Sequence, residues 1–148
     1  MKKWKGVNLA TAALVILTLG CNGMFDSVFQ PKPLDGMKAI AASEETKKLD
    51  QEVTGFLRGR YAIEKAKYYR APASMAWIAI SKNVQNQMAA KSIKPIMFEW
   101  YEPGIDFVEI YPQGEKGAGF ALAAPRDMQF EGEKLLAFYV LSSAGGKK

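Results

Sequence analysis

The chain has no histidine and a single cysteine among its 148 residues. Without histidine, Ser-His-Asp and Cys-His nucleophile arrangements and the common histidine-bearing zinc sites are excluded. A lone cysteine has no partner within the chain, so a disulfide framework is excluded as well. No useful glycine motif is present: Gly114, Gly117 and Gly119 in "GEKGAG" join two expected strands and do not open a helix, which is the wrong context for a phosphate loop. The apolar run near the start is about half of the roughly 20 residues a spanning helix needs, so a permanent transmembrane helix is the weaker reading. There is no internal repeat. Carboxylates, Lys, Tyr, Ser and Thr remain as the available chemistry, and no cofactor is expected.

What is present has the balance of a folded globular protein, with 49% hydrophobic and 24% charged residues. The length suits one domain with a sizeable core. The formal charge of +5 is concentrated at the start: removing Lys2, Lys3 and Lys5 from the 20 basic residues leaves 17 against 15 acidic ones, a net of +2. That balance argues against a nucleic-acid partner, because neutralising phosphates takes many clustered cations.

The first twenty residues divide into a basic start, an apolar stretch from Leu9 to Leu19, and the small residue Gly20 before Cys21. This is the three-part layout of an export signal. The run Leu17, Thr18, Leu19, Gly20, Cys21 resembles the lipobox of bacterial lipoprotein signal peptides, departing from the commonest pattern in having Thr18 where Leu is usual. The resemblance covers only the leader. It implies diacylglycerol on the Cys21 thiol, cleavage before Cys21 and acylation of the new amino terminus, which together exceed the two-signal threshold for stable anchoring. Asn22 in place of the family's Asp retention signal implies the outer membrane, facing the periplasm. The alternative is an ordinary secreted protein with a free cysteine near its start.

Three regions are expected: a signal peptide over residues 1–20, a lipidated tether over 21–43, and a single domain over 44–148. As a flexible coil the tether would have an end-to-end distance of about 25 Å, unless Phe25, Val28 and Phe29 pack on the domain. Ser43 caps a helix whose first turn carries Glu44 and Glu45. An apolar stripe of Leu49, Val53, Phe56, Leu57, Ile63 and Ala66 extends that helix to about Tyr69, with Gly55 and Gly59 on one side for close packing. After Pro72, "ASMAWIAISKNVQNQMAAK" reads as a second helix with Trp77, Ile80, Val84 and Met88 on one face, the alternative being that its beginning, "MAWIAIS", is a strand. Beyond Pro95, "IMFEWY", "IDFVEIY", "AGFALAA" and "KLLAFYVLSS" are separated by turn residues and read as four antiparallel strands. The expected fold is therefore α+β: two helices packed on one face of a four-stranded antiparallel meander. This order is similar to that of small lipoproteins of the outer-membrane barrel-assembly machinery, whose sequence motifs are absent here, so the likeness is architectural.

Two side-chain clusters stand out. Glu99, Glu102, Asp106 and Glu109 form an acidic group about Pro103-Gly104; solvated turn carboxylates are the preferred reading over a catalytic pair or a calcium site. Arg58, Arg60, Lys65, Lys67 and Arg70, interleaved with Tyr61, Tyr68 and Tyr69 and opposed only by Glu64, form a basic group suited to an acidic protein, a glycan or anionic lipid, or else to a plain solvated face. The expected function is that of a non-enzymatic accessory or assembly subunit of an envelope complex. It is anchored in the membrane through Cys21 and contacts a protein partner through Arg58, Arg60, Tyr61, Lys65, Lys67, Tyr68 and Arg70. A glycan- or lipid-binding module is the alternative, and a carboxylate hydrolase is less favoured.

Overall fold

The computed structural model describes residues 27–57, 59–96, 107–114, 117–125 and 132–144. Cys21, Arg58, Glu99, Glu102 and Asp106 lie outside the described residues. The elements are β1 (Lys38–Ile40), α1 (Glu44–Leu57), β2 (Tyr61–Ala71), α2 (Trp77–Ala89), β3 (Phe107–Gln113), β4 (Ala118–Ala124) and β5 (Lys134–Ser143). The class is α+β, built on a five-stranded antiparallel sheet in the order β1-β2-β5-β4-β3.

α1 starts where the capping signal puts it. The Thr46 amide donates to the Ser43 hydroxyl at 3.3 Å and the Ser43 amide donates to the Thr46 hydroxyl at 2.9 Å, so each residue satisfies a donor of the other. Thr46, Leu49, Val53 and Leu57 form its buried stripe. The helix stops at Leu57 and does not continue to Tyr69. Gly59 takes a left-handed φ of +72°, which reverses the chain, and the residues expected as the last turns of helix become β2. Gly55 has open space around it, so no close backbone approach occurs there.

β3, β4 and β5 form the meander expected of their sequences. Residues 97–106 fall outside the description, and Ile96 makes a single antiparallel bridge to Ile110. The remaining strands come from unexpected places: β2 from the basic segment, and β1 from within the expected tether.

The two helices lie on opposite faces of the sheet, which corrects the expectation of one shared face. Leu49, Val53 and Leu57 of α1 pack with Ile110, Ala121, Ala123, Leu135, Ala137, Tyr139 and Leu141. Ile80, Val84 and Met88 of α2 pack with Tyr111, Phe120, Leu122, Leu136, Phe138 and Val140 on the other side. β5 is thus buried on both faces from Leu135 to Leu141. The second core is extended by Val28, which is buried, and by the half-buried Phe29, Leu34 and Met37. The chain therefore joins the fold by Val28 and does not run free to residue 43. Within this core, Phe138 lies 4.9 Å from the Tyr69 ring and 5.3 Å from that of Phe120, edge to face with the latter.

Candidate functional site on β2

The basic stretch sits on a strand, and strand geometry divides it. Pairing with β5 runs from Tyr61 opposite Ser143 to Ala71 opposite Lys134, with one extra residue, Glu64, between Ile63 and Lys65. Tyr61 and Tyr68 pack in the core beneath α1, and Arg70 reaches a residue of that helix. Lys65 and Lys67 stand opposite Val140 and Phe138, residues of the core on the α2 side. One contiguous group in sequence is therefore two groups in space.

The members facing α1 are engaged in holding the fold. Tyr68 donates its hydroxyl to Asp50 Oδ2 at 2.6 Å, and Tyr139 donates to Asp50 Oδ1 at 2.7 Å. Burial first, and the bond to Asp50 second, push the Tyr68 hydroxyl up to about 12; the same two causes raise Tyr139. Arg70 donates to Glu45 through its two terminal guanidinium nitrogens, Nη1 and Nη2, and this hydrogen bonding raises its pKa. Glu64 accepts from the Ser142 hydroxyl. Asp50 was not singled out in the sequence, although its place beside Leu49 and four residues after the buried Thr46 marks it as an acid at the margin of an apolar stripe.

Arg60, Lys65 and Lys67 are exposed, and among the described residues none of them has an acidic partner. The outer edge of β2 is covered by β1 at Tyr68–Arg70 alone, so from Tyr61 to Lys67 it has no strand partner among the described residues. Lysines and a bulge on such an edge hinder indiscriminate strand addition.

On the other face, Glu109 accepts from the Ser81 hydroxyl and, at 2.7 Å, from the Tyr111 hydroxyl, while Gln85 donates to Ser81 at 3.0 Å. Burial, and then the bond to Glu109, raise the Tyr111 pKa. These contacts of Glu109 clamp α2 onto β3. Ser81 is a polar residue on the apolar face of α2 and is itself buried, so its hydroxyl is closed to a substrate. A hollow of about 400 Å³ lies nearby, lined by Gln85, Ala89, Ser92, Ile93, Lys94 and Pro95. Among the described residues no group of His, Cys, Asp or Glu side chains converges as metal ligands do.

The chain was compared with protein-family models, curated proteins and solved structures, and none of them matches.

Proposed function

We propose that this chain is a bacterial envelope lipoprotein, exported by a cleaved signal peptide over residues 1–20 and anchored through lipid on Cys21 at the outer membrane, facing the periplasm. Its domain serves as a non-enzymatic accessory or assembly subunit that binds a protein partner. The observation carrying this reading is the exposed row Arg60, Lys65 and Lys67 along the open stretch of β2. Tyr68 and Arg70, occupied by Asp50 and Glu45, support that edge from within. A partner with acidic groups meets three cations that have no acidic partner among the described residues, a pattern that favours orientation and rate of encounter.

The test is extraction of the full-length protein from its native membranes followed by mass measurement and affinity capture. Alongside it go Cys21→Ala and a triple Arg60→Gln, Lys65→Gln, Lys67→Gln form. The expected outcome is a lipid-bearing chain beginning at Cys21, with a stoichiometric partner that the triple variant loses while retaining its fold. Unchanged partner recovery by the triple variant refutes the surface, and an unmodified Cys21 refutes the anchor.

The exposed cations also favour a second reading, binding of anionic lipid or glycan. It is distinguished by binding to the purified ligand that weakens as salt is added.

A further inference from the structure

The chain is captured by the fold very soon after Cys21. Val28 is buried, and the Gln113 side chain holds the Phe29 backbone by two hydrogen bonds. The Lys32 backbone is held in turn by Gln87 and Asn83. Seven residue steps separate Cys21 from Val28, a reach of at most about 25 Å however the chain runs. The ten residues of β5 alone span about 30 Å. The link to the membrane is therefore shorter than the domain is long.

The strand register shows what lies at the tied end. Tyr61 faces Ser143, Gly119 faces Leu141, and Gln113 faces Ala118, so the start of β2 and the ends of β5 and β3 share one end of the sheet with Phe29. Arg60 is exposed there. Lys91, just past α2, holds its ammonium 5.5 Å from the centre of the Phe29 ring. Lys65 lies four residues further along β2 than Tyr61, and Glu64 beside it accepts from the Ser142 hydroxyl. Glu44, Glu45 and Glu133 lie at the far end, where Arg70 meets Glu45 and Ala71 faces Lys134. Among the described residues the tied end thus presents the exposed cations Arg60 and Lys91, whereas at the far end Glu44, Glu45 and Glu133 are mixed with Lys38, Arg70 and Lys134.

We propose that the domain stands on its Val28–Phe29 end, with Arg60 and Lys91 against anionic headgroups of the bilayer that holds Cys21. This rests on the anchored-lipoprotein reading above. The attraction of a charged surface fades over a Debye length, about 8 Å at physiological ionic strength, so a few cations act only when something keeps them close. The short link does so. The open edge of β2 then rises from the membrane surface with Arg60 at its foot, and a partner is met above it at Lys65 and Lys67.

Cys21 is the only cysteine, so once its thiol carries lipid a new one can be labelled uniquely. Ala144→Cys marks the tied end, where the Ala144 amide donates to the Arg60 carbonyl, and Ala42→Cys marks the far end; both positions are exposed. The full-length protein, purified from its membranes, is reconstituted in phosphatidylcholine vesicles with and without phosphatidylglycerol, each carrying a headgroup-attached quencher. In the anionic vesicles the label at 144 should be quenched several-fold more than the label at 42. Both omission of phosphatidylglycerol and the pair Arg60→Gln with Lys91→Gln should shrink that difference. Equal quenching of the two labels, or a difference that neutral vesicles reproduce in full, overturns the orientation. Protein that does not stay with vesicles overturns the anchored reading, and the proposal with it.

Discussion

The side-chain amide of Gln113 is matched on both sides to the backbone of Phe29: its oxygen accepts from the Phe29 amide at 2.7 Å and its nitrogen donates to the Phe29 carbonyl at 2.8 Å. The pair joins residues 84 apart in sequence and substitutes for a strand pairing the N-terminal segment does not have. Gln113→Leu removes both bonds and leaves the Phe29 groups to water, at an expected cost of about 1–2 kcal/mol in denaturant unfolding. Proteolysis near residues 27–33 should accelerate more than that cost implies, because the loss is local.

Asp50 is the acceptor for two tyrosines at once. Asp50→Ala strands the hydroxyls of Tyr68 and the fully buried Tyr139 beneath α1. A loss of about 2–4 kcal/mol is expected, since orphaned buried donors bear their full desolvation cost. Tyr68→Phe removes one donor from a half-buried position and should cost about 1 kcal/mol. Combining Tyr68→Phe with Asp50→Ala should cost less than the sum of the two, and a double-mutant cycle measures the shortfall.

Alkali should unfold the domain through its tyrosines. Tyr68 is pushed up to about 12 from an ordinary 10, and Tyr111 and Tyr139 are raised for the same causes. Each is protonated more tightly in the folded chain than in the unfolded one. Their contribution is therefore intact below pH 10 and falls as pH rises through the folded values, where the unfolded state has already released its protons. Denaturant midpoints measured across that range should fall with a slope that Tyr68→Phe reduces, and ultraviolet titration should show tyrosinate appearing together with unfolding.

The hairpin glycines separate strain from crowding. Gly114 and Gly117 both have left-handed φ, +75° and +70°, but an added Cβ at 114 meets nothing within 4 Å, whereas at 117 it falls 2.5 Å from the Ser143 Cβ. Gly114→Ala should cost about 1 kcal/mol from backbone strain alone. Gly117→Ala should cost about 1–3 kcal/mol more, and a Ser143→Gly change in the same chain should recover most of the excess in thermal unfolding.

The bulge at Glu64 explains why β2 does not read as a strand. Ile63 and Ala66 are three apart, as they would be on one side of a helix, and they share the α1 face because Glu64 is an extra residue. With the alternation broken there, the acid-base pairs and apolar residues of 44–66 merge into one helical period. The cap at Ser43 and the face of Ile80, Val84 and Met88 carry no such interruption: the first helix begins where the sequence puts it, and the second keeps its face but begins at Trp77, four residues into the stretch read as helix. Placement of the helices on opposite faces is legible only in β4 and β5, whose unbroken apolar runs mark strands covered on both sides. Of the basic group, exposure at Arg60, Lys65 and Lys67 follows from residue type. Its division between two faces follows from the strand, so it was hidden with it.

Central strand β5 is apolar on both sides, which makes its hydropathy a poor guide to its own alignment. Sliding it by one residue would exchange Leu136, Phe138 and Val140 for Leu135, Ala137, Tyr139 and Leu141 and leave greasy surfaces above and below. Tyr139 breaks the degeneracy. On the wrong side its hydroxyl loses Asp50 and is buried without an acceptor, a penalty of about 1–3 kcal/mol for a misaligned sheet. One phenolic oxygen thus works as the key that tells the strand which of its sides is which, and phenylalanine at that position would lower the fidelity of pairing even where the finished fold tolerates it.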